Sequence, residues 1–114
     1  MKRDIRQYLE DILDSTNAIL EICKDRTMAE VIGNRMFRDA ILHNFHVIGE
    51  AAKNVPAQLK DKYPDIPWKD MAGMRDKLAH SYFSIDPDII WKTIQERLPK
   101  LKSGMDRVLA DIGN

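Results

Sequence analysis

Apolar residues recur along this chain at intervals of three and four, the spacing that lines one face of a helix. Ile5, Tyr8, Leu9, Ile12, Leu13, Ile19, Leu20, Ile22 and Cys23 trace such a stripe and predict a helix over about Asp4 to Arg26. Thr27 followed by Glu30 fits a capping box that opens a short helix, which Gly33-Asn34 ends. A long helix is predicted from about Asn34 to Asn54, with Phe37, Ala40, Ile41, Ile48, Ala51, Ala52 and Val55 facing inward. Gly49, Ala51 and Ala52 are small enough there for a neighbouring helix to come close. Pro56 starts a short helix ending near Tyr63-Pro64, and Pro67 suits the first position of the next. Asp86-Pro87 supplies a cap and a first-turn proline for a final helix running to Ile112. Pro99 falls inside it and should kink it, because proline lacks a backbone donor and crowds the preceding turn. No segment alternates like a strand. The pattern predicts one all-α domain over residues 1–114, an antiparallel bundle of four to five helices with the short ones packed across an end.

Charge and cysteine content narrow the setting. Lys+Arg and Asp+Glu are balanced at 18 each in 114 residues, unlike a protein that coats nucleic acid by charge alone. A local basic cleft is still allowed. One cysteine, Cys23, cannot form an intrachain disulfide, and its place in an apolar stripe marks it as filler rather than nucleophile. No signal peptide and no apolar run of membrane-spanning length is visible, so a cytoplasmic protein is expected.

The segment Arg75-Asp-Lys-Leu-Ala-His80-Ser-Tyr82 holds the candidate chemistry. Arginine clamps phosphate through a planar fork of donors, and histidine exchanges a proton near neutral pH. These are the groups that metal-free phosphodiester cleavage needs. On the helix that follows Pro67, Trp68, Met71, Ala72, Leu78, Ala79 and Tyr82 share one stripe, with Arg75 in its middle. A guanidinium there needs an anion or a hydrogen-bonding cluster. A buried structural ion pair with Glu50 is one way to meet that need, and a substrate phosphate is the other. His80 lies about 140° around an ideal helix from Arg75, so the two do not face each other within one helix. They converge if the helix loosens, or if two protomers meet across a two-fold axis. Two protomers also bring two histidines, one as base for the nucleophile and one as acid for the leaving oxygen. Asp76, four residues before His80, could orient its imidazole or be an ordinary solvated carboxylate. Tyr82 reads equally as a core aromatic.

Asp39, His43, His46 and Glu50 fall within about 60° of one another on the second long helix. Such a line suits zinc or manganese by ligand type, yet one helix face usually provides only two ligands. A polar groove or interface is the alternative. Arg97, Lys100, Lys102 and Arg107 make the last helix basic, a solvated face in the simplest reading.

Arg75-x4-His80-x-Tyr82 resembles the signature of HepT-type toxins in the HEPN superfamily of helical ribonucleases. The likeness extends to Asp39-Ala40, to Ile48-Gly49-Glu50-Ala51-Ala52-Lys53, and to the run Trp68–Asp76. It continues through His80–Asp86 and Ile90-Trp91. The resemblance implies a HEPN-like homodimer whose cleft carries Arg75 and His80 of both protomers. It implies metal-independent cleavage of RNA through the 2′-hydroxyl, with no cofactor, leaving a 2′,3′-cyclic phosphate and a 5′-hydroxyl. Asp76 supplies the polar residue typical after the arginine in such nucleases, and with Glu50, the candidate partner of Arg75, it is taken as an accessory residue. The resemblance further implies a type II toxin–antitoxin pair, in which a minimal nucleotidyltransferase transfers AMP onto Tyr82. Neither membrane nor DNA is an expected partner. A competing reading makes the chain a non-catalytic substrate-binding or regulatory subunit of that transferase, and a third makes it a structural helical module.

Overall fold

The computed structural model describes residues 4–73 and 86–113. The first helix, α1 (Ile5–Cys23), starts where the Asp4 carboxylate accepts from the Arg6 amide at 3.1 Å. It ends in a tight turn. Lys24 is extended, Asp25 takes a positive φ of 58°, and the Arg26 amide closes back on the Cys23 carbonyl at 3.2 Å. These are the features of a type II turn, whose third residue must be left-handed. α2 (Met28–Ile32) opens on the expected capping box, with Thr27 and Glu30 satisfying each other's amides. Asn34 then caps α3 (Arg35–Asn54), its side chain accepting from the Phe37 amide at 3.1 Å. α4 (Ala57–Lys62) follows Pro56. Residues 68–73 form the next helical segment, α5, whose first turn bonds the Met71 amide to the Pro67 carbonyl. Pro67 therefore sits one position before the helix rather than inside it.

The C-terminal region departs from one kinked helix. It divides into α6 (Pro87–Glu96) and α7 (Leu98–Ile112), with Arg97 between them. Pro99 is the reason: it offers no amide to the Gln95 carbonyl and its ring crowds that turn, so a new helix starts at Leu98 with the proline in its first turn. The Arg97 amide still reaches Thr93, and Leu101 reaches Arg97, which keeps the two pieces joined. Seven helical segments are thus present among the described residues, where four to five were expected. The surplus comes from turn-length pieces and from this division. No strand occurs among the described residues.

The long helices run antiparallel. Arg6 at the start of α1 donates to Gly113 just beyond α7 at 3.2 Å. Arg26, just after α1, stacks over Phe37 in the first turn of α3, 4.6 Å from the ring centroid. α1 packs against both α3 and α7. Leu9, Ile12, Ile19, Ile48, Leu101, Met105 and Val108 are almost wholly buried between them. Gly104 of α7 lies close to Ile66, in the stretch between α4 and α5. The core therefore reaches to the doorstep of α5.

Candidate active site

Arg75, Asp76, His80 and Tyr82 lie outside the described residues. What the structure describes is the helical segment that leads to them and the cleft beside it. In α5, Trp68 and Met71 are buried, as the apolar stripe through the motif requires, and Ala72 is half-buried.

Side chains from far along the chain fix the approach to α5. Arg107 of α7 binds Asp65 through one nitrogen to both carboxylate oxygens, at 2.8 Å each. The same guanidinium lies 5.4 Å from the centroid of the Tyr63 ring. The Tyr63 hydroxyl donates to Asp111 at 2.7 Å, and its carbonyl accepts from the Trp68 indole at 3.1 Å. The hydrogen bond from Arg107 holds the Asp65 carboxyl below its usual range, and the Asp65 partner raises Arg107 in turn. The bond to Asp111 pushes the Tyr63 phenol upward. α5 thus starts from an anchored turn. Sequence reading placed Arg107 on a solvated face and missed this role, because its partner stands 42 residues away. Arg97, given the same reading, pairs with Asp70 of α5.

A cleft of about 270 Å³ opens between α3, α5, α6 and the start of α7. Phe45, Ile48, Met71, Leu98 and Leu101 form its apolar floor. Lys69, Asp70, Gly73, Thr93, Arg97 and the half-exposed Ile89 stand around its mouth. At Gly73, two residues before Arg75 in the sequence, no described atom beyond its chain neighbours and its own helix backbone lies within 4 Å of the position a Cβ would take.

Asp39, His43, His46 and Glu50 do share one side of α3. Asp39, His43 and His46 are exposed, Glu50 is half-buried, and Asp39 lies 3.5 Å from Arg35. Among the described residues, no three His, Cys, Asp or Glu side chains come together as a metal site. Cys23 is buried, and burial raises its thiol pKa against the opposing pull of Arg26, which suits filler rather than nucleophile. No helix among the described residues is long and apolar enough to cross a membrane.

Comparison with known proteins bears on the same region. The model of the family described as "Ribonuclease HepT-like" matches residues 12–108. A Methanocaldococcus jannaschii protein named "Putative RNase" is 40% identical over 111 residues, 97% of this chain and 96% of its own. "Probable ribonuclease HepT" of Thermococcus cleftensis is 38% identical over 108 residues, 95% of this chain and 98% of its own. A second "Putative RNase", from Caldanaerobacter subterraneus, is 36% identical over 104 residues, covering 91% and 93%. No solved structure matches the chain.

Proposed function

The chain belongs to the HepT-like ribonuclease family, and from that premise we propose that it is a metal-independent endoribonuclease, the toxin of a type II toxin–antitoxin pair. The observation that carries the reading is that the family match over residues 12–108 contains the whole run from Arg75 to Tyr82. His80 removes the proton from a ribose 2′-hydroxyl, whose oxygen attacks the adjacent phosphorus. The bond to the 5′-oxygen breaks as that oxygen takes a proton from the His80 of a second protomer. The products are a 2′,3′-cyclic phosphate and a 5′-hydroxyl, so water is not consumed in this step. Arg75 stabilises the extra negative charge on the phosphoryl oxygens in the transition state. Asp76 orients the imidazole, and Glu50 supports Arg75 from α3.

In this reading a homodimer forms the working cleft, and a nucleotidyltransferase antitoxin silences it by adding AMP to Tyr82. A nucleotide there would both fill the cleft and repel RNA by charge. Incubation of the purified protein with cellular RNA and a chelator, followed by mapping of the cut ends, tests the chemistry. Arg75→Ala and His80→Ala are each expected to lower cleavage at least 100-fold, with cyclic phosphate at the wild-type cut ends. Undiminished cleavage by the double variant would overturn the assignment.

A further inference from the structure

We propose that the cleft between α3, α5, α6 and α7 is a subsite for one unstacked base of the RNA substrate. The inference rests on the reading that the chain acts on RNA, and it adds where part of that RNA sits. Its size is the first argument. About 270 Å³ falls just below the roughly 300–1,000 Å³ of pockets that hold drug-sized ligands. It suits a single base with part of its sugar and is too small for several nucleotides at once.

The lining is the second argument. The floor of Phe45, Ile48, Met71, Leu98 and Leu101 offers a flat heterocycle an apolar surface with no polar group to leave unpaired. The mouth is polar and carries the cations Lys69 and Arg97. Arg97 is about half exposed, and its ion pair with Asp70 holds the guanidinium at the rim instead of leaving it to sweep through solvent. Single-stranded RNA is recognised largely by splaying bases out and stacking them on aromatic rings or guanidinium planes. Lys69 provides an unstacked nucleotide with a charge for its phosphate. The Thr93 hydroxyl is committed as a donor to the Ile89 carbonyl at 2.8 Å, so it has no proton to offer a base edge, and the floor below it offers none. The subsite should therefore reward ring area more than hydrogen-bond pattern.

Position is the third argument. Gly73 lines the cleft, and among the described residues, beyond its own neighbours and helix backbone, nothing fills the space a side chain would take there. A base seated in the cleft would lie beside Gly73, two residues before Arg75 in the sequence.

The test uses the full chain with 2′-O-methyl ApA, an RNA dinucleotide that cannot be cleaved because its nucleophile is blocked. Amide NMR shifts on titration should move at Gly73, Ile89, Thr93 and Arg97. Sodium phosphate alone should not reproduce the shifts at Ile89 and Thr93. Thr93→Trp fills the mouth and should weaken dinucleotide binding at least tenfold. It should also raise the KM for RNA with kcat little changed. Should that variant fail to fold, Arg97→Ala is expected to show the same weakening to a smaller degree. Absence of shifts at the cleft, or full reproduction of them by phosphate, would overturn the subsite. The two proposals fail separately. Cleavage that survives loss of Arg75 and His80 removes the mechanism and leaves a base-binding cleft, whereas cleavage that needs them while ApA ignores the cleft removes only the subsite.

Discussion

Gly104 offers the sharpest test of how the core supports the approach to the motif. A Cβ added there would lie 3.0 Å from Cγ1 and 3.1 Å from Cδ1 of Ile66. Ile66 is only 4% exposed, so its side chain is held within the packed core and a shift of it disturbs its neighbours. Replacing glycine by alanine within a helix gains about 0.8–1 kcal/mol of helix propensity. Forcing a methyl into a filled core costs about 1–3 kcal/mol. Gly104→Ala should therefore leave the protein about 1 kcal/mol less stable, despite the better helix former. In an Ile66→Ala background the sign reverses. That change alone costs about 2–5 kcal/mol through the cavity it leaves, and the new methyl now enters the cavity. There, Gly104→Ala should stabilise by about 1 kcal/mol, giving a coupling of about 2 kcal/mol between the two sites, inside the range for residues in contact. Urea unfolding followed by Trp68 and Trp91 fluorescence, extrapolated to water, measures all four corners of the cycle. Equal effects of Gly104→Ala in the two backgrounds, within about 0.5 kcal/mol, would refute the close approach. Ile66 immediately precedes Pro67 and α5, so the same displacement should slow RNA cleavage in the single variant and be relieved in the double one.

Four further changes probe local features. Thr16 is fully buried and its hydroxyl has no hydrogen-bond partner among the described residues; Thr16→Val should stabilise by about 1 kcal/mol in the same urea assay, because an unmet buried hydroxyl costs about 1–3 kcal/mol. Asp25→Gly should raise the thermal midpoint by roughly 3–6 °C by calorimetry, since glycine occupies the left-handed third position of the turn without the steric cost asparagine or aspartate bear. Asp65 carries a lowered carboxyl pKa in the folded chain, chiefly through its bond from Arg107, so its contribution is complete above the unfolded carboxylate range and fades as pH falls below it. Asp65→Asn should therefore flatten the stability profile on the acid side. Tyr63 is raised by its bond to Asp111, so its contribution is present below the ordinary phenol range and fades as pH rises through the folded value. Tyr63→Phe should flatten the alkaline limb instead, and unchanged acid and alkaline limbs in the two variants would argue against the anchored turn.

What was legible in the sequence was local. The Thr27–Glu30 box, the Asn34 cap and the Asp86-Pro87 start each work within three or four residues, where the chemistry of a cap is written beside the amide it satisfies. The apolar stripes were legible for the same reason, although they passed over Phe45, Ser15 and Thr16, which the structure buries. Serine and threonine carry no apolar signal, so a periodicity argument leaves them outside the core whatever surrounds them. Pro99 was read for its crowding, but whether that crowding bends a helix or ends it depends on packing against α1 and α6. The sequence reading also placed Arg97 and Arg107 on one solvated face. Their carboxylate partners, Asp70 and Asp65, are distant in sequence, and only the antiparallel return of α7 brings them together.

That return explains why the surroundings of the motif are more rigidly specified than the motif pattern itself suggests. The stretch before α5 is tied to α7 through Asp65–Arg107 and Tyr63–Asp111, and is packed against it through Ile66 and Gly104. α5 is tied to the α6–α7 junction through Asp70–Arg97. Exposed ion pairs of this kind add little to global stability, so their arrangement around one six-residue segment is better understood as positioning. A phosphate clamp misplaced by about 1 Å can lose 100-fold in rate while the fold hardly changes. Variants at Arg107 or Asp70 should consequently separate the two quantities, with cleavage falling several-fold while the unfolding midpoint moves little. Equal loss of both would make these contacts ordinary surface stabilisation, and the anchored approach to Arg75 would lose its functional meaning.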